Sequence, residues 1–142
     1  MVKGTFHYET FMSRPLEEVW DFFSTAENLA KISSFPKVTI LSNPKTIQGN
    51  NIEMKLNFLF FQKKWHAEIT EVKEKSYFID KGTLLSYPFT AWEHSHAFEV
   101  RNDGTLMKDT VIFSASLPAP IVRLFLRQMF RGRKKELNRY FH

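Results

Sequence analysis

The hydrophobic period of this chain changes from two to 3.6 at Leu117-Pro118-Ala119-Pro120. Upstream, between Val38 and Ser114, apolar and polar residues follow the period of two of half-buried strands. Downstream, Val122, Phe125, Leu126, Met129, Phe130, Arg133, Leu137 and Phe141 follow the 3.6-residue spacing of one helix face. Strands followed by one long helix leave a sheet face and a helix stripe to be buried against each other, which is an α+β plan.

Ahead of these strands, Thr5 to Phe11 form a short β-favouring run that stops at Ser13-Arg14-Pro15. Ser13 is placed to cap a helix over Leu16 to Phe23, with Glu17 and Glu18 near the positive end of its dipole. Ser24 or Thr25 caps a second short helix that runs through Ile32 and ends before Pro36. Strands are then expected over residues 38–41, 50–61, 65–72, 77–80, 89–100 and 105–114. There is no repeat or linker, so residues 1–142 read as a single domain.

The last two strands form the clearest hairpin, joined at Asn102-Asp103-Gly104, where Asp-Gly supplies the positive φ of a tight turn. Pairing Asn102 with Thr105 sets Phe98 opposite Asp109, His96 opposite Val111 and His94 opposite Phe113. All six share one face, because side chains two apart on a strand point the same way.

Composition narrows the chemistry. The chain has no cysteine, which excludes disulfides, thiolate nucleophiles and sulfur-based zinc sites and suits a reducing cytosol. Its start lacks the uncharged run of a signal peptide, and no apolar stretch approaches the roughly 20 residues needed to span a bilayer. A cytoplasmic protein is therefore expected. The 15 phenylalanines are large rings that pack at close density only with difficulty in a small core, which hints at a cavity.

Pro88-Phe89-Thr90-Ala91-Trp92-Glu93-His94-Ser95-His96-Ala97-Phe98, followed by Gly104-Thr105, Asp109 and Leu117-Pro118, resembles the ligand-binding SRPBCC proteins of the START-like, polyketide-cyclase-like superfamily. Ser13 to Phe23 is similar to that superfamily's lead-in to its first helix, and the order of elements agrees over essentially the whole chain. The narrower pattern Trp92-x-His94-x-His96-x-Phe98 points to a bacterial branch whose members mostly lack an assigned reaction. The resemblance implies a helix-grip fold, a curved antiparallel sheet of about seven strands around the C-terminal helix, with a cavity for a lipid, quinone or polyketide-like molecule. One position departs: the glycine usual before Pro-Phe is Tyr87 here.

His94 and His96 are the sharpest candidates, because both imidazoles project from one strand face between Trp92 and Phe98. The resemblance makes them anchors for a ligand's polar end; the plainer alternative is structural histidines satisfied by Asp109, Asp80 or backbone. Two such histidines can also supply zinc ligands, with Asp109 or Asp80 added, but no third nitrogen ligand is evident, so no metal or other cofactor is expected. Either ring could serve an enzyme as general base, although no nucleophile is paired with it.

Trp65, Ala67 and Ile69 on one strand and Ile52, Met54, Leu56 and Phe58 on its neighbour are expected on the same inner face as Trp92 and Phe98. Met54 and Met129 suit a cavity wall, because a flexible thioether adapts to varied shapes. Arg133 interrupts the apolar stripe of the last helix and needs a partner: Asp80, Asp109 or a ligand's acidic group. Phe58 to Phe61 and Leu84 to Phe89 run apolar through expected loops, as the rim of a cavity mouth, a lip that touches a membrane, or a patch packed on the last helix.

The formal charge of +5 collects in the last 20 residues, where Arg123, Arg127, Arg131, Lys134 and Lys135 lie broadly opposite the stripe. That is the pattern of a solvated helix face, with anionic lipid headgroups as a fitting transient partner. No zinc finger, RNP signature or glycine-rich clamp speaks for nucleic acid. The leading reading is a binding or carrier protein for a small hydrophobic molecule. The alternatives are a cyclase, dehydratase or hydrolase-like enzyme using His94 or His96, and a stress or regulatory interaction protein.

Overall fold

The computed structural model describes residues 1–141. Strand β1 (Val2–Met12) leads into α1 (Leu16–Phe23) and α2 (Ala26–Ile32), followed by β2 (Lys37–Ile40), β3 (Asn51–Asn57), β4 (Gln62–Lys73), β5 (Tyr77–Leu84), β6 (Phe89–Arg101), β7 (Gly104–Ala115) and α3 (Ala119–Tyr140). All seven strands form one antiparallel sheet in the order β1-β7-β6-β5-β4-β3-β2. The first strand thus closes against the last, and α1 and α2 bridge to the far edge.

Helix α1 begins at Leu16 with Pro15 at the N-cap and no side-chain cap bond, so the expected cap at Ser13 falls two residues too early. The Pro15 carbonyl instead accepts the first helical bond from the Val19 amide at 3.1 Å. Thr25 does cap α2, its hydroxyl accepting from the Glu27 amide. The Ala26 amide donates to the Pro44 carbonyl, which holds α2 over the β2 side of the sheet. The strand expected over 50–61 stops at Asn57, whose side chain accepts from the Leu59 amide; Leu59 is left-handed at φ 78°, and residues 58–61 turn the chain back.

The β6–β7 register differs from expectation by two residues. Arg101 pairs with Gly104, which places Phe98 opposite Met107, His96 opposite Asp109, His94 opposite Val111 and Trp92 opposite Phe113. The left-handed residue of the turn is Asn102, at φ 54°. Gly104 lies in the strand for a different reason: a Cβ there would stand 2.2 Å from the Met12 carbonyl oxygen of β1. A shift of two leaves every side chain on its expected face.

The inner face of the sheet meets α3 through Val122, Leu126 and Phe130, which pack with Phe6, Trp92, Val111 and Phe113. A second cluster lies beneath α1 and α2, where Trp20, Phe22 and Phe23 pack with Phe78, Phe98, Met107 and Leu137. Phe125 was expected in the buried stripe but is 38% exposed, because it borders the cavity rather than a packed core.

Candidate functional site

Between the two clusters is a cavity of about 370 Å³. Ile52, Met54 and Leu56 of β3, Trp65, Ala67 and Ile69 of β4 and Trp92 of β6 form its floor, since alternation puts them all on the inner face. Val122, Leu126 and Met129 of α3 form one wall, and Phe23, Ala26 and Leu29 of α1 and α2 form another. Phe58, Tyr87 and Ile121 border the mouth. The α2 wall was not read from the sequence; a seven-residue helix carries too short a pattern to reveal which neighbour it faces.

One end of this apolar space is polar. His94 and His96 are each about 95% buried, their rings stacked 3.6 Å apart at 26°. Phe78 stacks on His96 at 4.1 Å, while Trp92 and Phe130 meet His94 edge-on. Asp80 stands opposite His94 on β5, and Asp109 opposite His96 on β7. The short hydrogen bonds nevertheless run diagonally, from His94 Nε2 to Asp109 at 2.8 Å and from His96 Nε2 to Asp80 at 2.7 Å. The other two ring nitrogens also face carboxylates, His96 Nδ1 at 3.5 Å from Asp109 and His94 Nδ1 at 3.9 Å from Asp80.

Arg133 reaches the same end from α3. Its guanidinium lies 5.0 Å over the Phe130 ring, and its Nε is buried with no hydrogen-bond partner among the described residues. Burial lowers its pKa, opposed by attraction to Asp109 and Asp80. Burial alone would raise the Asp80 pKa, but hydrogen bonds from His96 and Trp92 and the charges of both histidines outweigh it and hold the carboxyl below its ordinary range. His96 is lowered, first by burial and then by the charge of His94.

The other candidates fall as follows. Trp65, Trp92, Met54, Phe58 and Met129 border the cavity with His94, His96 and Arg133. Phe98 and Asp109 do not. Phe98 lies behind the histidines against Trp20, Phe23 and Phe78, and Asp109 is screened from the cavity by His94, which it holds. Asp80, named from sequence as a partner for the histidines or Arg133 and as an added zinc ligand, lines the cavity itself. The basic face of α3 is partly tied down, since Arg123 donates to the Thr5 carbonyl and Lys134 lies over the Tyr8 ring.

Asp80, His94 and His96 each present a ligand atom within 4.8 Å of the others. Chelation by these three conflicts with the geometry: near-parallel rings direct their in-plane lone pairs side by side rather than toward one point, and the shortest contacts are already ring-to-carboxylate.

A family model described as polyketide cyclase / dehydrase and lipid transport matches residues 12–141. No curated protein matches the chain. Among solved structures, a protein of Chromobacterium violaceum superposes with a TM-score of 0.81 at 12% identity, covering 96% of each chain. Ara h 8.0201 superposes at 0.75 with 15% identity, over 99% of this chain and 98% of that one. Ginseng major latex-like protein 151 from Panax ginseng does so at 0.75 with 10% identity, over 99% of both. At such identities these likenesses speak for the fold, a curled seven-stranded sheet gripping a long C-terminal helix.

Proposed function

The chain belongs to the polyketide cyclase / dehydrase and lipid transport family, and from that premise we propose that it binds and carries a small hydrophobic molecule with one polar end. The observation that carries this reading is the apolar cavity of about 370 Å³ with its titratable groups gathered at one end. Burial of ligand surface against Met54, Trp65, Trp92, Phe58 and Met129 supplies affinity, at roughly 25 cal/mol per Å². Arg133, whose Nε has no partner among the described residues, and Asp80 receive the polar end, while the stacked histidines form the wall beside it. A lipid tail, a quinone or a polyketide-like ring system all suit such a space.

An enzyme using His94 or His96 as general base is the second reading, favoured by the two buried histidine–aspartate pairs. Against it, each Nε2 is taken by a carboxylate at 2.8 or 2.7 Å, and each Nδ1, which keeps its lone pair when the ring is neutral, has a second carboxylate at 3.9 or 3.5 Å crowding a substrate's approach. Native mass spectrometry of the purified protein, followed by denaturing extraction, tests the carrier reading. The expected result is a stoichiometric hydrophobic molecule. An empty protein that gains no thermal stability from a library of lipids, quinones and aromatic polyketides would overturn it.

A further inference from the structure

Apart from Met1, the most exposed large apolar residues, Phe60, Leu59 and Tyr87, lie beside the cavity mouth, while others such as Val100 and Ile112 are scattered over the surface. At the β3–β4 tip Phe60 is 95% exposed and Leu59 78%, with Phe61 beside them. They stand on a rigid base, because Phe61 stacks on Phe58 at 5.1 Å and Phe58 meets Phe35 edge-on at 5.8 Å. Across the mouth Tyr87 is 72% exposed, and Ile121 of α3 faces solvent. A two-phenylalanine tip in water is a feature a soluble surface normally avoids unless something covers it.

The charges around the tip indicate what covers it. Residues 54–67 hold Lys55, Lys63 and Lys64 and no acidic residue. Lys55 and Lys64 stand directly opposite each other on the outer face, a like-charge cross-strand pair that destabilises the sheet unless an outside anion compensates it. Lys64 follows Phe61 by three residues, about 10 Å of strand, so both lie within reach of one surface. Apolar side chains at the apex with cations set back around them match an anionic bilayer, whose phosphates lie above its hydrocarbon.

We propose that the β3–β4 tip, Leu59-Phe60-Phe61, inserts into the surface of an anionic lipid bilayer, with Lys55, Lys63 and Lys64 on the headgroups and the cavity mouth turned toward the membrane. The contact adds to the basic face of α3 a specific insertion point beside the ligand's way in.

The test is co-sedimentation with sucrose-loaded vesicles of phosphatidylcholine, with and without phosphatidylglycerol, in parallel with binding of the fluorescent probe N-phenyl-1-naphthylamine. The native protein should pellet with phosphatidylglycerol vesicles, less so as salt rises and little with phosphatidylcholine alone. Phe60→Asp should weaken vesicle binding at least tenfold, and Lys63→Glu/Lys64→Glu should abolish its dependence on phosphatidylglycerol, both with probe binding unchanged. If Phe60→Asp pellets like the native protein, the proposal falls. It falls equally if the native protein ignores both vesicles, or if sedimentation velocity shows instead a dimer that Phe60→Asp dissociates. Probe binding reports on the cavity separately, so either reading can fail alone.

Discussion

Replacing Asp109 by alanine tests whether the buried cluster behaves as one energetic unit. Asp109 is 3% exposed, and one of its oxygens accepts from His94 Nε2 at 2.8 Å while the other has no partner among the described residues. Removing the carboxylate strands one ring N–H and deprives Arg133 of one of its two attracting charges, but orphans nothing else. Breaking a buried pair from one side costs about 3–5 kcal/mol. His94 keeps Asp80 at 3.9 Å from Nδ1, which places the loss in the lower half, about 3–4 kcal/mol. For a chain of this length that lowers the melting temperature by about 10–15 °C.

His94→Ala should cost a similar amount, since it leaves Asp109 buried without its donor. The double variant should then cost about 1–3 kcal/mol less than the sum of the singles, measured by urea denaturation. Additivity within about 0.5 kcal/mol, or an Asp109→Ala loss below about 1 kcal/mol, would refute the idea that these groups are held by one another.

Stability should also depend on pH with a definite sign. Both His96 and Asp80 have lowered pKa values in the folded chain, so the unfolded chain takes up protons first as the medium is acidified. Stability should fall from about pH 6.5 for His96 and again below about pH 4 for Asp80, by up to roughly 1.4 kcal/mol per pH unit per group. His96→Phe, which keeps the stack on Phe78, should flatten the first of these steps in denaturation curves; an unchanged profile would assign it to another group. Ala67→Phe puts a ring into the cavity from the sheet floor and should reduce hydrophobic probe binding at least tenfold at a stability change within about 3 kcal/mol; retained binding would move the ligand site elsewhere. Gly104→Ala should destabilise by about 2 kcal/mol or more, because its Cβ meets the Met12 carbonyl, whereas Asn102→Gly at φ 54° should stay within about 1 kcal/mol. The opposite ranking by thermal denaturation would restore the Gly104-centred turn.

The sequence by itself determined the order of elements and the face on which each side chain lies. The change of hydrophobic period marked α3, and alternation put His94, His96, Trp92, Trp65 and Met54 on the inner face before any strand had a partner. Those are local properties, set by the two-residue repeat of a strand and the 3.6-residue turn of a helix. Pairing is not local. The β6–β7 register moved by two residues because Gly104 answers to the β1 carbonyl of Met12, some 90 positions away, rather than to its own turn. A move of two preserves faces, so the inward direction of the histidines held while their opposite residues changed.

The sequence named Asp80 and Asp109 among the partners of the histidines, and tertiary structure decided that each ring takes one of them, diagonally across the sheet. It brought Asp80 of β5 and Asp109 of β7 to the stacked pair on β6, placed Arg133 from α3 beside them, and put Phe98 behind the cavity instead of in it. Alternation cannot tell an inner-face residue beneath α1 from one beneath the open space next to it. Both lie on one sheet face, and only the helices packed above decide which stretch is filled and which is left open.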